Sequence, residues 1–317
     1  MSSQLSYKVW HEDRHIVMNP ISSDAYPVEE FDYQLLDTGN LKKLERFGPY
    51  TFIRPSLQVI WPPKLSKTEW DKANGEFRHH KGKSTGGGEW TFRNPVPKNG
   101  WPLQFRDLIF TVQTTSFGHL GLFPEQAQNW VWIANQIKGL NGNKPNVLNM
   151  FGYTGASTLV ATAAGANVTH LDASKASVTW ARKNLETSGL ADYPVRWIVD
   201  DAEKFLKREH RRNRRYDALI IDPPSFGRGP KGEVWNIETQ MANLLNLCKN
   251  VLSDSPKFIL LTTHSPGLSS LTLKNMMIKF LISPDSGVFH TGDMSIYDTG
   301  SELHLPNGFY ARFSPNS

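Results

Sequence analysis

The chain has 317 residues, which on size alone suggests about two domains. With 39% hydrophobic and 21% charged residues it can bury a sizeable core, so a disordered or low-complexity protein is excluded. No apolar run reaches the roughly 18 residues of a membrane helix, the start MSSQLSYKVWHEDRH lacks an apolar signal core, and one cysteine, Cys248, rules out an internal disulfide or a Cys-based zinc site. A cytoplasmic protein with no metal and no membrane partner is the expectation, and the net charge of +5 asks for an anionic partner.

From about 5 to 115, short apolar runs (YKVW, YTFIRP, LQVIWPP, EWTFRNP, RDLIFTVQ) are cut by Pro, Gly and Asp, the pattern of β-hairpins. The polar stretch KLSKTEWDKANGEFRHHKGKSTGGGE between them reads as a long exposed loop with a Gly-rich tip. From 116 the pattern becomes alternating strand and helix. Pro124 starts a helix on which Trp130, Ile133, Ala134 and Ile137 recur at helical spacing. The strand NVLNMF, the helix STLVATAAGA and the strand VTHLDAS follow. Next come the helix KASVTWARKNLETSG, with Gly189 just past its end, and the strand VRWIVDD. The helix AEKFLKREHRR, the strand YDALIIDPPSF, a helix over roughly 236–252 and the strand KFILLTTHS continue the series. GVFHTGDMSIYD and FYARFS close it as a hairpin. Repeated βα units imply an α/β fold with a doubly wound, mostly parallel sheet, over residues 116–317, behind a smaller β-rich N-terminal domain over 1–115.

Four strand ends carry candidate chemistry. In VLNMFGYTGAS, Asn149, Phe151, Gly152, Tyr153, Thr154 and Gly155 form a strand-to-helix turn whose glycines permit close backbone approach to a ligand. It lacks the first Gly-x-Gly of a dinucleotide fingerprint. Asp172 ends the second strand and is either an acceptor for ribose hydroxyls or a helix cap. Asp200 and Asp201 end the third and are either acceptors for an adenine amine or caps. In LIIDPPSFG, Asp222 and the carbonyls of Pro223 and Pro224 make a rigid set of acceptors, and Phe226 is placed to stack on a flat ring. Such a set suits a planar group with N–H donors.

At these positions the sequence resembles the class I S-adenosylmethionine-dependent methyltransferases, most closely the subfamily that modifies cytosine C5 or guanine N7 in large-subunit ribosomal RNA. The resemblance covers about residues 105–315. It implies a seven-stranded methyltransferase sheet and S-adenosyl-L-methionine as cofactor. The methionine end would lie near Gln126, Phe151, Gly152 and Tyr153, the ribose at Asp172 and the adenine at Asp201. It also implies RNA, in particular ribosomal RNA, as partner.

Two departures narrow the chemistry. The family's Asp-Gln-Arg is Glu125-Gln126-Ala127 here, so the Arg expected to meet the cofactor carboxylate is missing. Where cytosine-C5 enzymes carry a nucleophilic Cys, this chain has His264 in TTHSP, while Cys248 lies at apolar spacing in a helix and reads as a packing thiol. Carbon methylation of cytosine needs a thiolate adduct. A nitrogen lone pair needs only positioning. The expectation is therefore direct transfer to a base nitrogen, with Asp222, Pro223, Pro224, Phe226 and His264 as the catalytic set. The alternatives are a small-molecule or protein amide acceptor, and a non-catalytic nucleic-acid-binding module. The Gly-Lys-Ser at 82–84 is no P-loop, since Phe77 stands where the first Gly is needed.

The charge excess sits in two places. Residues 207–215 (KREHRRNRR) carry a local +5, residues 64–98 a local +4, and the remainder is −4. The first run ends a helix that returns from the third strand, on the side away from the cofactor, where it complements the helix dipole. The second interleaves its cations with Trp70, Phe77, Trp90 and Phe92, a composition suited to single-stranded RNA as well as to a packed hairpin. Neutralising Lys81, Lys83 and Arg78 is expected to weaken RNA binding, measured by filter retention, more than neutralising Arg211, Arg212 and Arg214; the reverse ranking would contradict this placement.

Overall fold

The computed structural model describes residues 30–82, 86–228, 232 and 234–316. The run YKVW and Lys83 lie outside them. The N-terminal part contains β1 (Tyr33–Gly39), β2 (Lys42–Phe47), β3 (Tyr50–Pro55), the short α1 (Lys67–Asp71), β4 (Gly75–His79), β5 (Gly88–Phe92), β6 (Trp101–Phe105) and β7 (Leu108–Val112). The series α2 (Ala127–Lys138), β8 (Asn146–Met150), α3 (Ala156–Ala163), β9 (Asn167–Asp172), α4 (Lys175–Thr187), β10 (Val195–Val199), α5 (Ala202–Arg211) and β11 (Ala218–Ile221) follows. A small hairpin, β12 (Phe226–Arg228) and β13 (Val234–Asn236), precedes α6 (Ile237–Lys249), β14 (Phe258–Thr263), α7 (Ser270–Phe280), β15 (Gly287–Asp298) and β16 (Leu303–Pro315).

Strands β10-β9-β8-β11-β14-β16-β15 form the expected doubly wound sheet, parallel except for β16, which runs antiparallel to both neighbours. The strands β11 and β14 are buried at every residue, as sheets covered by helices on both faces require. Trp130, Ile133, Ala134 and Ile137 of α2 are all buried against one face. The order reverses between β8 and β11, so the crevice at their C-terminal ends is the natural ligand site.

The sheet does not stop there. β15 pairs in parallel with β1 through Leu35 and Asp298, and β1-β2-β3-β4-β5 continue it to twelve strands. One apolar core crosses the junction, with Tyr33, Phe52 and Trp101 in the same cluster as Ile133, Val147 and Leu260.

Two N-terminal expectations are corrected. LQVIWPP is not a strand. Its prolines exclude ladder pairing, and it folds as a loop whose Val59 and Trp61 carbonyls accept from Leu41 N (2.7 Å) and Asn40 N (2.8 Å). The stretch 64–98 is not a long loop, because it contains α1 and the β4–β5 hairpin. Its aromatics are mostly committed to packing. Trp70 is buried and donates to Asp37 Oδ2 at 2.8 Å, Phe77 is buried, and Trp90 donates to the Thr115 carbonyl. Phe92 alone of the four is exposed. Four of its eight cations are also paired: Lys67 with Asp71, Lys72 with Glu69, and Arg78 and Arg93 with Glu76.

From Arg211 on, the basic run closes α5 at the end away from the crevice and is organised by one buried carboxylate, whereas Lys207 at its start lines the crevice, contrary to expectation. Glu209 accepts from both Arg196 Nη1 (2.5 Å) and Nη2 (3.0 Å) and from Tyr216 Oη (2.8 Å), with Arg212 and Arg214 at its rim.

A second buried charge lies in β2. Glu45 accepts from Arg54 Nε (2.7 Å) and Nη2 (2.9 Å) and from Tyr33 Oη (2.8 Å), and Lys43 Nζ is 3.1 Å away. Burial works against the ionised carboxylate, but the two cations and these hydrogen bonds prevail and hold its pKa at about 2, below the ordinary 4.5. The lowered value means that its stabilisation is fully present above pH 4.5 and is lost as pH falls towards 2. Glu45→Gln is expected to cost about 3–5 kcal/mol at neutral pH, because two buried cations lose their counter-charge. In urea melts at a series of pH values, the gap to wild type should close below pH 4.5; a pH-independent gap would contradict this.

Candidate functional site

Every strand end singled out in the sequence opens into one cleft of about 1000 Å³. Its floor is Phe151 and Tyr153 after β8, Asp172 after β9, Asp200 and Asp201 after β10, Asp222 to Ser225 after β11, and His264 after β14. Its opposite wall is N-terminal, formed by Lys43, Arg54, Phe77, His79 and the segment Phe117–His119. A smaller cavity of about 50 Å³ lies deeper, lined by Gln126, Asn149, Gly152, Thr154 and Asp222 among others.

The β8 turn is built under strain. Phe151 (φ 57°) and Tyr153 (φ 47°) are both left-handed without being glycine, a conformation that persists only where the surroundings impose it. The surroundings are visible. Tyr153 N donates to Asp172 Oδ2 (2.9 Å) and Gly152 N to the Leu171 carbonyl (3.0 Å). Thr154 Oγ1 donates to the Gly121 carbonyl, and Asn184 Nδ2 to that of Thr154. A methyl group on Gly152 would stand 2.5 Å from His170 Cε1, which is buried below the turn, so only glycine fits. Gly155 (φ 91°) would set a methyl 2.8 Å from Ala181 Cβ. Asn149 is fixed by its donation to Thr158 Oγ1 (2.8 Å), which also meets His170 Nδ1.

The carboxylates differ in whether they cap a helix. Asp172 does not cap α4; Ser174 does, accepting from Ser177 N. Asp172 instead accepts from Tyr153 N and Ser174 N, bracing β8 against β9, and burial pushes its pKa up despite those hydrogen bonds. Asp201 does cap α5, accepting from Lys204 N at 3.0 Å, and Asp200 is paired with Arg208 at 2.6 Å.

The Asp-Pro-Pro-Ser-Phe turn departs from expectation in two respects. The Pro224 carbonyl is not a free acceptor, because Trp235 Nε1 donates to it at 2.6 Å. Phe226 does not line the cleft. Ser225 and Gly227 on either side of it do, so strand alternation sends Phe226 the other way, and it is 56% exposed. The aromatic that this hairpin contributes to the cleft is Trp235 of β13, 5.5 Å from the Phe151 ring. Nothing in the sequence marked it, since the β12–β13 hairpin is only three residues a side.

Asp222 is the centre of the polar network. Gln126 Nε2 donates to its Oδ2 (3.0 Å) and approaches Thr262 Oγ1 (3.3 Å). Gln126 Oε1 is held in turn by Asn129 Nδ2 (2.7 Å), and Asn129 Oδ1 by Arg312 Nε (2.9 Å). Asp222 Oδ1 is buried and has no hydrogen-bond partner among the described residues. His264 lies beside it, with Nδ1 at 3.8 Å from that oxygen and Nε2 at 3.0 Å from Glu125 Oε1. Glu125 itself is buried and also accepts from Asn307 Nδ2. Burial opposes the charged form of both His264 and Glu125, yet their mutual hydrogen bond, with Asp222 aiding the imidazolium, leaves the His264 pKa above and the Glu125 pKa below the ordinary value. Cys248 is fully buried in α6, and burial pushes its thiol pKa far up.

The donor set fits a cofactor with a cationic end and a hydroxylated ring. An orphaned buried carboxylate oxygen, a cradle that only glycine allows and acids at three strand ends are all in place. No helix among the described residues is long and apolar enough to cross a membrane.

A family profile described as S-adenosylmethionine-dependent methyltransferase matches residues 64–249. A solved SAM-dependent methyltransferase from Agrobacterium tumefaciens is 36% identical, over 90% of this chain and 91% of that one, with a TM-score of 0.84. Ribosomal RNA large subunit methyltransferases K/L are similar at 28% identity over 152 residues (Shewanella frigidimarina, 47% of this chain) and 32% over 146 (Hahella chejuensis, 45%). The match covers about a fifth of the length of each, 20% and 19%. The chain belongs to the S-adenosylmethionine-dependent methyltransferase family.

Proposed function

We propose that this enzyme methylates a base nitrogen in RNA, in particular ribosomal RNA, by direct in-line transfer with no covalent enzyme adduct. The observation that carries the reading is an Asp222 oxygen with no hydrogen-bond partner among the described residues, 3.8 Å from His264 at the cleft floor, in a chain whose one thiol is buried in the core.

S-adenosyl-L-methionine supplies the methyl group on a sulfonium. Gln126, Asn149, Phe151, Gly152, Tyr153, Thr154 and Gly155 would hold its methionine end, with Asp222 facing the ammonium side. Asp172 would accept from the ribose and Asp200 and Asp201 from the adenine, each using lone pairs beyond those already engaged. With no Arg at Ala127, the carboxylate would rest on backbone N–H groups at the N-terminus of α3, since those of Gly152, Tyr153 and Gly155 are already engaged. Asp222 and the Pro223 carbonyl would hold the acceptor by its N–H groups, so that positioning and water exclusion, rather than a nucleophile, supply the rate.

RNA is favoured as substrate by two facts. The ribosomal-RNA enzymes are similar to nearly half of this chain, 47% and 45% of it, and the cleft is walled by strands from the part before residue 115, which we propose as the substrate-facing unit. Labelled methyl should pass from S-adenosyl-L-methionine to total RNA of a strain lacking this enzyme and not to wild-type RNA. Transfer instead to small molecules or protein would replace RNA as the substrate. Asp222→Asn should lower kcat by about 10²–10³-fold. Cys248→Ala should retain activity, and its inactivity in a protein that melts like wild type would overturn direct transfer.

A further inference from the structure

We propose that the acceptor is an exocyclic amine, and that Glu125 is the positioning residue that fixes His264 to take the amine's proton. The inference rests on the nitrogen-methylation reading above and deepens it from any base nitrogen to one that has a proton to lose.

The geometry runs through one imidazole. Glu125 is 1% exposed and accepts from His264 Nε2 at 3.0 Å and from Asn307 Nδ2 of β16. A buried carboxylate at Nε2 fixes that nitrogen as the donor and turns Nδ1 towards the cleft. Nδ1 is 3.8 Å from Asp222 Oδ1, too far for a direct hydrogen bond, and that oxygen has no other partner among the described residues. Two acceptors therefore face one gap. An amino group fills it by donating to both. A ring nitrogen without hydrogen would set its lone pair against both, and each would stay unsatisfied. Phe123 closes one side, with its ring 5.2 Å from that of His264.

The step balances simply. The amine lone pair forms the N–C bond, and the C–S bond breaks with its electrons left on sulfur. The proton of the new N–H⁺ group passes to Nδ1, which must be neutral beforehand. The titratable groups facing His264 are Glu125, Asp222, Lys43 of β2 and His119 of the segment before α2, whose own pKa burial pushes down to about 4. The two carboxylates favour the imidazolium, and burial and Lys43 oppose it. With the carboxylates prevailing, kcat should rise with pH along an acidic limb set above the ordinary histidine value.

Three readouts test this. Nucleoside analysis of RNA methylated by the unmutated enzyme should show the methyl on an exocyclic amine. In Glu125→Gln the acidic limb of kcat should move down by about one pH unit or more, with KM for RNA little changed. The His264 Cε1–H NMR titration in ligand-free protein should move down equally, a shift that a packing role would not produce. A methyl on a ring nitrogen, or an unmoved limb and titration in folded Glu125→Gln, would overturn the proposal and leave RNA methylation standing. No transfer to RNA at all would overturn both.

Discussion

The cleft depends on one edge-to-edge junction between β15 and β1. Sheet edges are normally blunted, but here the edge of the methyltransferase sheet is used. Asp298, fully buried at the end of β15, accepts from Thr38 Oγ1 on one side and from the backbone of Gly300 and Ser301 on the other. Thr299 N donates to the Leu35 carbonyl just beyond. These bonds fix the N-terminal strands in register with the strands that carry the site. Because the apolar core runs across the junction, Lys43 and Arg54 are held over the floor rather than tethered by a linker.

That rigidity explains why ionic groups are buried at the wall. A buried carboxylate is costly unless its lone pairs are filled, and removing one partner is worse than never having had the pair. Glu45 meets this condition completely, with a guanidinium fork, an ammonium and a phenol around it. Glu125 does so with an imidazole and an amide. Asp222 does not: one oxygen is satisfied by Gln126 and the other is left open. Among three buried or half-buried acids with similar surroundings, the unsatisfied one lies on the cleft floor at the end of β11. Unfilled capacity in an otherwise closed network marks a place that a ligand completes.

The sequence made the doubly wound sheet legible because βα alternation has a strong period, and the acids at its strand ends followed from the same register. Helix α7 and the β12–β13 hairpin escaped notice. The first buries only Leu273 and Met277 and so has little apolar periodicity, and the second is too short to alternate. The misreading at 64–98 has a different cause. Polar composition said loop, but Trp70, Phe77 and Trp90 are inside, each with a hydrogen bond or an aromatic neighbour that composition does not reveal. Glu125 was visible only as a departure from a family pattern. An acid in the first turn of a helix ordinarily serves the dipole, and nothing local shows that His264, 139 positions later, folds onto it. Trp235 and Lys43 are likewise set by tertiary contact.

The same contacts change the meaning of the net charge. Around the cleft, Lys43, Arg54 and His264 meet Glu45, Glu125 and Asp222, and Asp172, Asp200 and Asp201 add acidic groups on the other side. The floor is thus neutral to acidic, which suits a cofactor carrying a sulfonium and an ammonium and opposes a polyanion. For the RNA substrate proposed above, a phosphate backbone would have to be held outside the floor, by cations at the rim. Arg211 and Arg215 are exposed, but they lie with the Glu209 cluster at the far end of α5. Lys207 of the same helix lines the cleft, and so does His79 on the β4–β5 hairpin, whose turn carries Lys81. An RNA lying across that rim would keep its phosphates on surface cations, where they are screened and exchangeable, and would send only an uncharged base down to Asp222.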